Sequence, residues 1–335
     1  MSTTFRSSRV RLWLGTCAAA FLMAAPMATQ AQTDSPVIDG KVLSSSVSSQ
    51  SNAPIPPESV EDVYVFGDSL VDTGNVFNAN GGLFPPSPPY FSGRFSNGPL
   101  WIENVLSPLG ISLVPSTTGG QNFAFGGAPS GFFLKQPIAP GGPPPETPGL
   151  LYQLGTFSQP RPTVTPQTLY FITAGANDFL NDFLSGRELD FTVPVQNLST
   201  AVSTLYAYGA RNIVISNVPD LSRFPLTQAN PEALPSLSKE VKQFNDKLKA
   251  ALDELQKTRP DLNIILLDFQ ASFNQFLNHP DQFGFTNTTT PCVTPTSVCA
   301  NPEEYLFWDE AHPTAAAGQA LAEMVAPQIF QMSPP

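Results

Sequence analysis

Histidine is almost missing from this chain. Of 335 residues only His279 and His312 carry an imidazole, so an imidazole base must be one of two side chains. Cysteine is nearly as scarce: Cys17, Cys292 and Cys299 are the full set, too few and too isolated for the three or four ligands of a zinc site. No metal and no organic cofactor is expected. After about Met27 no stretch approaches the ~20 apolar residues that span a bilayer. Cationic residues are also few, 16 Lys and Arg against 27 Asp and Glu, for a net charge of -11. Such a surface repels phosphate backbones and gains nothing from anionic headgroups, so neutral molecules are better partners than nucleic acid. The Gly-x-x-x-x-Gly-Lys-Ser/Thr loop that cradles nucleotide phosphates is absent, which removes a helicase reading of the letters Asp309-Glu310-Ala311-His312. The Gly-x-Ser-x-Gly elbow of the common α/β-hydrolases is absent too.

What is present divides the chain into three. Arg6, Arg9 and Arg11 precede an apolar run from Leu12 to about Met27, and small residues lead to Ala31. Residues 1–31 read as an export signal, and an extracellular or periplasmic location is expected. Residues 32–60, with Ser44-Ser45-Ser46 and Pro54-Ile55-Pro56-Pro57, are too polar and broken to pack and read as a disordered leader. Residues 61–330 read as one folded domain. In an oxidising compartment Cys292 and Cys299 are expected to pair, closing a short loop worth about 2–3 kcal/mol.

From Asp62 onward short apolar runs alternate with helical periodicity. The candidate strands are Val63–Phe66, Gln121–Phe125, Leu169–Thr173, Asn212–Ser216 and Asn263–Asp268. Leu237, Val241, Phe244, Leu248 and Leu252 recur at helical steps before Pro260; a second helix is predicted over Pro194–Tyr208 with Thr192 as its cap, and a third over Pro313–Phe330, bent or ended by Pro327. The alternation predicts an α/β fold with a mostly parallel, five-stranded sheet and helices on both faces. Two proline-rich stretches, Asn80–Phe91 and Pro129–Pro148, are read as long loops whose Phe84, Tyr90, Phe91, Phe132 and Phe133 wall a pocket.

Three strand ends carry polar groups with a chemical use. Val63–Phe66 delivers Gly67-Asp68-Ser69, and the carboxyl end of a parallel strand is where open α/β sheets place reactive groups. A serine there needs a base to take its proton. His279 sits at the end of a short helical pattern, where imidazole usually caps carbonyls. His312 follows Asp309 by three residues, so that the carboxylate can hold Nδ1 and leave Nε2 to Ser69. Gly126-Gly127 offers backbone donors without an intruding Cβ, and Asn177 offers a side-chain N-H. Asp68, Asp72 and Asn75 read as anchors of the turn; Tyr170, Phe307 and Trp308 read as core aromatics.

The blocks Phe66-Gly67-Asp68-Ser69-Leu70, Gly93-Arg94-Phe95-Ser96-Asn97-Gly98, Asn122-Phe123-Ala124-Phe125-Gly126-Gly127, Gly175-Ala176-Asn177-Asp178 and Phe307-Trp308-Asp309-Glu310-Ala311-His312 resemble, in order, those of the GDSL lipase/esterase family, the SGNH hydrolases. The resemblance implies a three-layer, flavodoxin-like sandwich and a carboxylic ester hydrolase acting on small-molecule or lipid esters. It implies Ser69 as nucleophile with Asp309 and His312, and an oxyanion hole from the Ser69 N-H, the Gly127 N-H and the Asn177 side chain. Gly127, five residues after Asn122, fits the family's pattern better than Gly126. Two other classes share parts of this pattern. A non-catalytic carbohydrate-binding module would lack one of these groups, and a metal-dependent phosphoesterase would need a dense cluster of acids and histidines.

Overall fold

Runs of β-branched, aromatic and aliphatic residues, cut off by glycine and polar residues, set the frame. A computed structural model describes residues 53–135, 146–159, 164–188 and 190–331. The runs form β1 (Asp62–Gly67), β2 (Thr168–Thr173), β3 (Asn212–Ser216) and β4 (Asn263–Leu267), side by side in that order and all parallel. All six β2 residues are buried, as expected for a strand covered on both faces.

Short helices α1 (Asn75–Ala79) and α2 (Trp101–Leu106), then α3 (Leu150–Ser158), follow β1. After β2 come α4 (Ala176–Leu184) and α5 (Thr192–Ala207); α6 (Leu234–Thr258) joins β3 to β4, and α7 (Phe269–Asn278) and α8 (Ala315–Ile329) come last. Successive side chains on a strand point to opposite faces, which assigns the layers. Tyr170 meets Phe157 of α3 at 6.2 Å, while its neighbour Phe171 meets Trp101 of α2 at 6.3 Å. On the first face α3, α5 and α6 pack together, and on the second α2 packs on α8. The periodic positions of α6, from Leu237 through Leu252, are buried against the sheet side as their spacing requires.

The main sheet has four strands where five were expected. Gln121–Phe125 does run along the free edge of β1: Val65 N-H donates to Gln121 O at 3.1 Å, Phe123 N-H to Val65 O at 2.7 Å and Phe125 N-H to Gly67 O at 3.0 Å. It forms only an isolated bridge because Gly67 N-H, the donor that would carry a parallel ladder on to Phe123 O, goes to Gln153 Oε1 instead. Asn75 Nδ2 donates to Asn122 O and Ala124 O, and Ala124 N-H donates to Asn122 Oδ1. Two helix starts also differ. Phe191, not Thr192, precedes α5, and α8 begins at Ala315 with Thr314 as its cap, leaving Pro313 outside the helix; Pro327 lies in its last turn.

The signal read over residues 1–31 lies outside the described residues, as does most of the leader read over 32–60. Residues 53–60 are described, and they are attached to the body: Ile55 is buried, its N-H donates to Ile329 O at 2.8 Å and its carbonyl accepts from Gln331 N-H at 2.9 Å. The second proline-rich stretch folds at its base into an antiparallel pair, Phe133–Lys135 with Glu146–Pro148. Cys292 and Cys299 are joined, closing a hairpin of Val293–Thr294 and Ser297–Val298. That hairpin is stitched to the segment before Asp309, with Cys292 N-H donating to Phe307 O and Val293 N-H to Trp308 O.

Candidate active site

β1 ends where only glycine fits. Gly67 has φ +144°, and a Cβ there would lie 2.1 Å from Thr173 O on the neighbouring strand. The close approach lets Asp68 N-H donate to Thr173 O, and the chain then turns, with Leu70 N-H on Asp68 Oδ1 and Val71 N-H on Asp68 O. Ser69 emerges from this turn, 8% exposed. Asp72 steadies the next residues by accepting from the N-H groups of Gly74, Asn75, Val76 and Gly126. The anchoring expected of Asp68, Asp72 and Asn75 is present. One anchor was not foreseen: buried Gln153 of α3 accepts from Gly67 N-H and donates to Gly67 O, each at 2.8 Å. Nothing in the local sequence marks it apart from an amide within an apolar helix.

On the far side of the chain, Asp309 Oδ1 accepts from Ala311 N-H and His312 N-H at 2.9 and 2.8 Å, curling the segment into a tight turn. Trp308 N-H donates to His312 O at 2.7 Å. The turn sets His312 Nδ1 at 2.8 Å from both carboxylate oxygens and Nε2 at 2.7 Å from Ser69 Oγ. With the proton on Nδ1 facing the carboxylate, Nε2 is the acceptor for the Ser69 hydroxyl. Phe95 packs at 5.1 Å from the imidazole. His279 terminates α7 and takes no part in this array.

The two partners bias each other. Burial disfavours the imidazolium, but the Asp309 carboxylate, its hydrogen bond and the charge of Asp68 outweigh it and lift the His312 pKa above its ordinary 6.5. Burial likewise opposes the Asp309 carboxylate, yet His312, the Ala311 N-H and the Tyr90 O-H hold its pKa below the ordinary 3.8. If His312 is the base, kcat/KM falls on the acid side with an apparent pKa above 6.5. A pH profile flat down to about pH 4 would exclude it.

The donors gather at the ends of neighbouring strands. Gly126 N-H is spent on Asp72 Oδ2 at 2.9 Å, whereas Gly127, at φ +78°, and Ser69 have N-H groups without a partner among the described residues. Asn177, in the first turn of α4, gives one amide hydrogen to Ala128 O at 3.1 Å, leaving the other for a ligand. The loop after Gly127 is pinned by a network not read from the sequence. Ser130 donates through N-H and Oγ to Asp178, both at 2.8 Å, and Asn197 donates to Ser130 Oγ. Among the described residues no three His, Cys, Asp or Glu side chains are grouped to hold a metal.

A cleft of about 930 Å³ opens beside Asp309, between Phe84, Pro89 and Tyr90 on one side and Val293 and Val298 of the disulfide hairpin on the other. Tyr90 and Phe91 also line a second cleft of about 700 Å³. Phe132 and Phe133 line neither; they are 62% and 44% exposed, and Phe133 packs on Tyr152. Tyr170, Phe307 and Trp308 are buried core residues, as expected.

Comparison with known proteins gives this arrangement a family. The sequence family described as GDSL-like Lipase/Acylhydrolase matches residues 63–325. A thermolabile hemolysin of Vibrio parahaemolyticus is 29% identical over 289 residues, covering 81% of this chain and 64% of that protein, so the chain spans less than two thirds of that relative. A GDSL esterase/lipase of Arabidopsis thaliana is 28% identical, with 82% and 92% covered, and a phosphatidylcholine-sterol acyltransferase of Aeromonas hydrophila is 26% identical, with 79% and 88% covered. The chain belongs to the GDSL-like lipase/acylhydrolase family, a family of carboxylic ester hydrolases.

Proposed function

We propose that this chain is an exported serine esterase of the lipase type that cleaves carboxylic esters through an acyl-enzyme on Ser69. The observation that carries the reading is the 2.7 Å contact between His312 Nε2 and Ser69 Oγ with Asp309 behind the ring. His312 takes the hydroxyl proton as Oγ attacks the ester carbonyl, and the carbonyl oxygen gains charge facing the N-H groups of Ser69, Gly127 and Asn177. The tetrahedral intermediate collapses, its C-O bond breaks, and the departing alkoxide takes the proton from Nε2. Water enters, gives a proton to the same nitrogen and attacks the acyl carbon. Ser69 then leaves with that proton restored, and the carboxylic acid is released. The basic, apolar start of residues 1–31 and the Cys292–Cys299 bond support export.

The proline- and valine-walled cleft next to Asp309 favours substrates with an apolar chain. Purified protein lacking residues 1–31 is expected to hydrolyse a series of chromogenic esters, with kcat/KM rising from acetyl toward longer acyl groups. Acid quench during turnover is expected to leave the acyl mass on the peptide containing Ser69. Turnover with no covalent adduct on that peptide under burst conditions would dismiss the acyl-enzyme.

A further inference from the structure

The loop over Asn80–Phe91 was expected only to wall a pocket. Tyr90 does line both clefts, but its hydroxyl points inward and donates to Asp309 Oδ2 at 2.7 Å across 219 residues of sequence. Among the described residues, every other hydrogen bond to that carboxylate comes from Ala311 or His312, within three residues of Asp309 itself. Oδ1 is fixed by the two backbone N-H groups of the turn. Among the described residues Oδ2 has only the imidazole and Tyr90. The tyrosine is therefore, among the described residues, the one hydrogen-bond donor from elsewhere in the fold that can restrain the rotation of the carboxylate. It is itself held: Tyr90 N-H donates to Pro86 O at 3.0 Å, and its ring lies edge-on to Trp308 at 6.1 Å.

We propose that Tyr90 is a positioning residue for the proposed ester hydrolysis, acting through Asp309 to hold His312 in register with Ser69. This rests on the catalytic reading above. The phenol is a dependable donor, because burial and the nearby carboxylates of Asp309 and Glu310 keep its proton on well beyond neutral pH. The charged groups that bear on the pair are Glu310 beside Asp309, Asp68 on the turn after β1, and Asp178 of α4 acting on Asp68. None of them donates to Oδ2.

The test is Tyr90→Phe, which keeps the ring and removes the donor. Without that hydrogen bond the carboxylate's charge falls more fully on the imidazole and its rotation is less restricted. For a chromogenic short-chain ester we expect kcat to fall about 3- to 10-fold with KM little changed, and the acid limb to move about half a pH unit upward. In an Asp309→Asn background the added effect of Tyr90→Phe is expected to vanish, since the two act as one unit. NMR gives a readout that needs no turnover: the low-field His312 Nδ1 proton and the His312 titration are expected to shift in Tyr90→Phe. An unmoved resonance, an unmoved acid limb and an effect equal in both backgrounds would overturn the assignment. Wild-type protein without esterase activity would overturn the catalytic reading instead, while the resonance still decides whether Tyr90 sets the pair.

Discussion

Ser69→Ala is expected to lower kcat/KM for carboxylic esters by roughly 10⁴- to 10⁶-fold while leaving the melting temperature close to that of the parent. The hydroxyl contacts His312 Nε2 at 2.7 Å, and its removal takes away the atom proposed to form the acyl bond. The fold has no comparable stake in it, because the turn is held by Asp68, Asp72 and Gln153. The N-H donors also survive the change, so a residual rate above the uncatalysed one is expected. Turnover within tenfold of the parent would mean that another group is the nucleophile.

Asn177→Ala is the second large effect, expected at about 100- to 1000-fold in kcat with little change in KM. In the proposed oxyanion hole, the amide hydrogen not given to Ala128 O would meet a full charge only when the carbonyl oxygen becomes an oxyanion, so its loss would fall on the transition state. Alanine is at ease in the first turn of α4, which keeps the helix intact. A KM that rises while kcat holds would assign Asn177 to ground-state binding instead.

Most of the frame was legible because buried parallel strands write themselves as continuous apolar runs and this chain separates them cleanly. Gln121–Phe125 has the same local signature but not the same fate, since whether an edge segment extends a ladder depends on what lies across from it. Here the Gly67 N-H that would continue the ladder is taken by the side chain of Gln153, 28 residues after Phe125 in the numbering. Ser69 and His312 could be singled out because imidazole is so rare in the sequence. Gln153, Ser130 and Tyr90 could not: each is an ordinary polar residue whose importance lies in a partner 86, 48 or 219 residues away. Phe132 and Phe133 err in the opposite direction. Their loop has the composition of a pocket wall, but its base pairs with Glu146–Pro148, Phe133 packs on Tyr152 and Phe132 stays exposed.

The bridge between Ile55 and the end of α8 brings the two ends of the described body side by side. α8 sets off three residues after His312, and its 15 residues carry the backbone about 22 Å away to Ile329, where Ile55 joins it. A linker joined at Ile55 or at Gln331 would therefore start one helix length, ~22 Å, from the turn that carries His312. Attachment to a bead by either of these two points is expected to leave kcat/KM for a small ester close to that of the free protein.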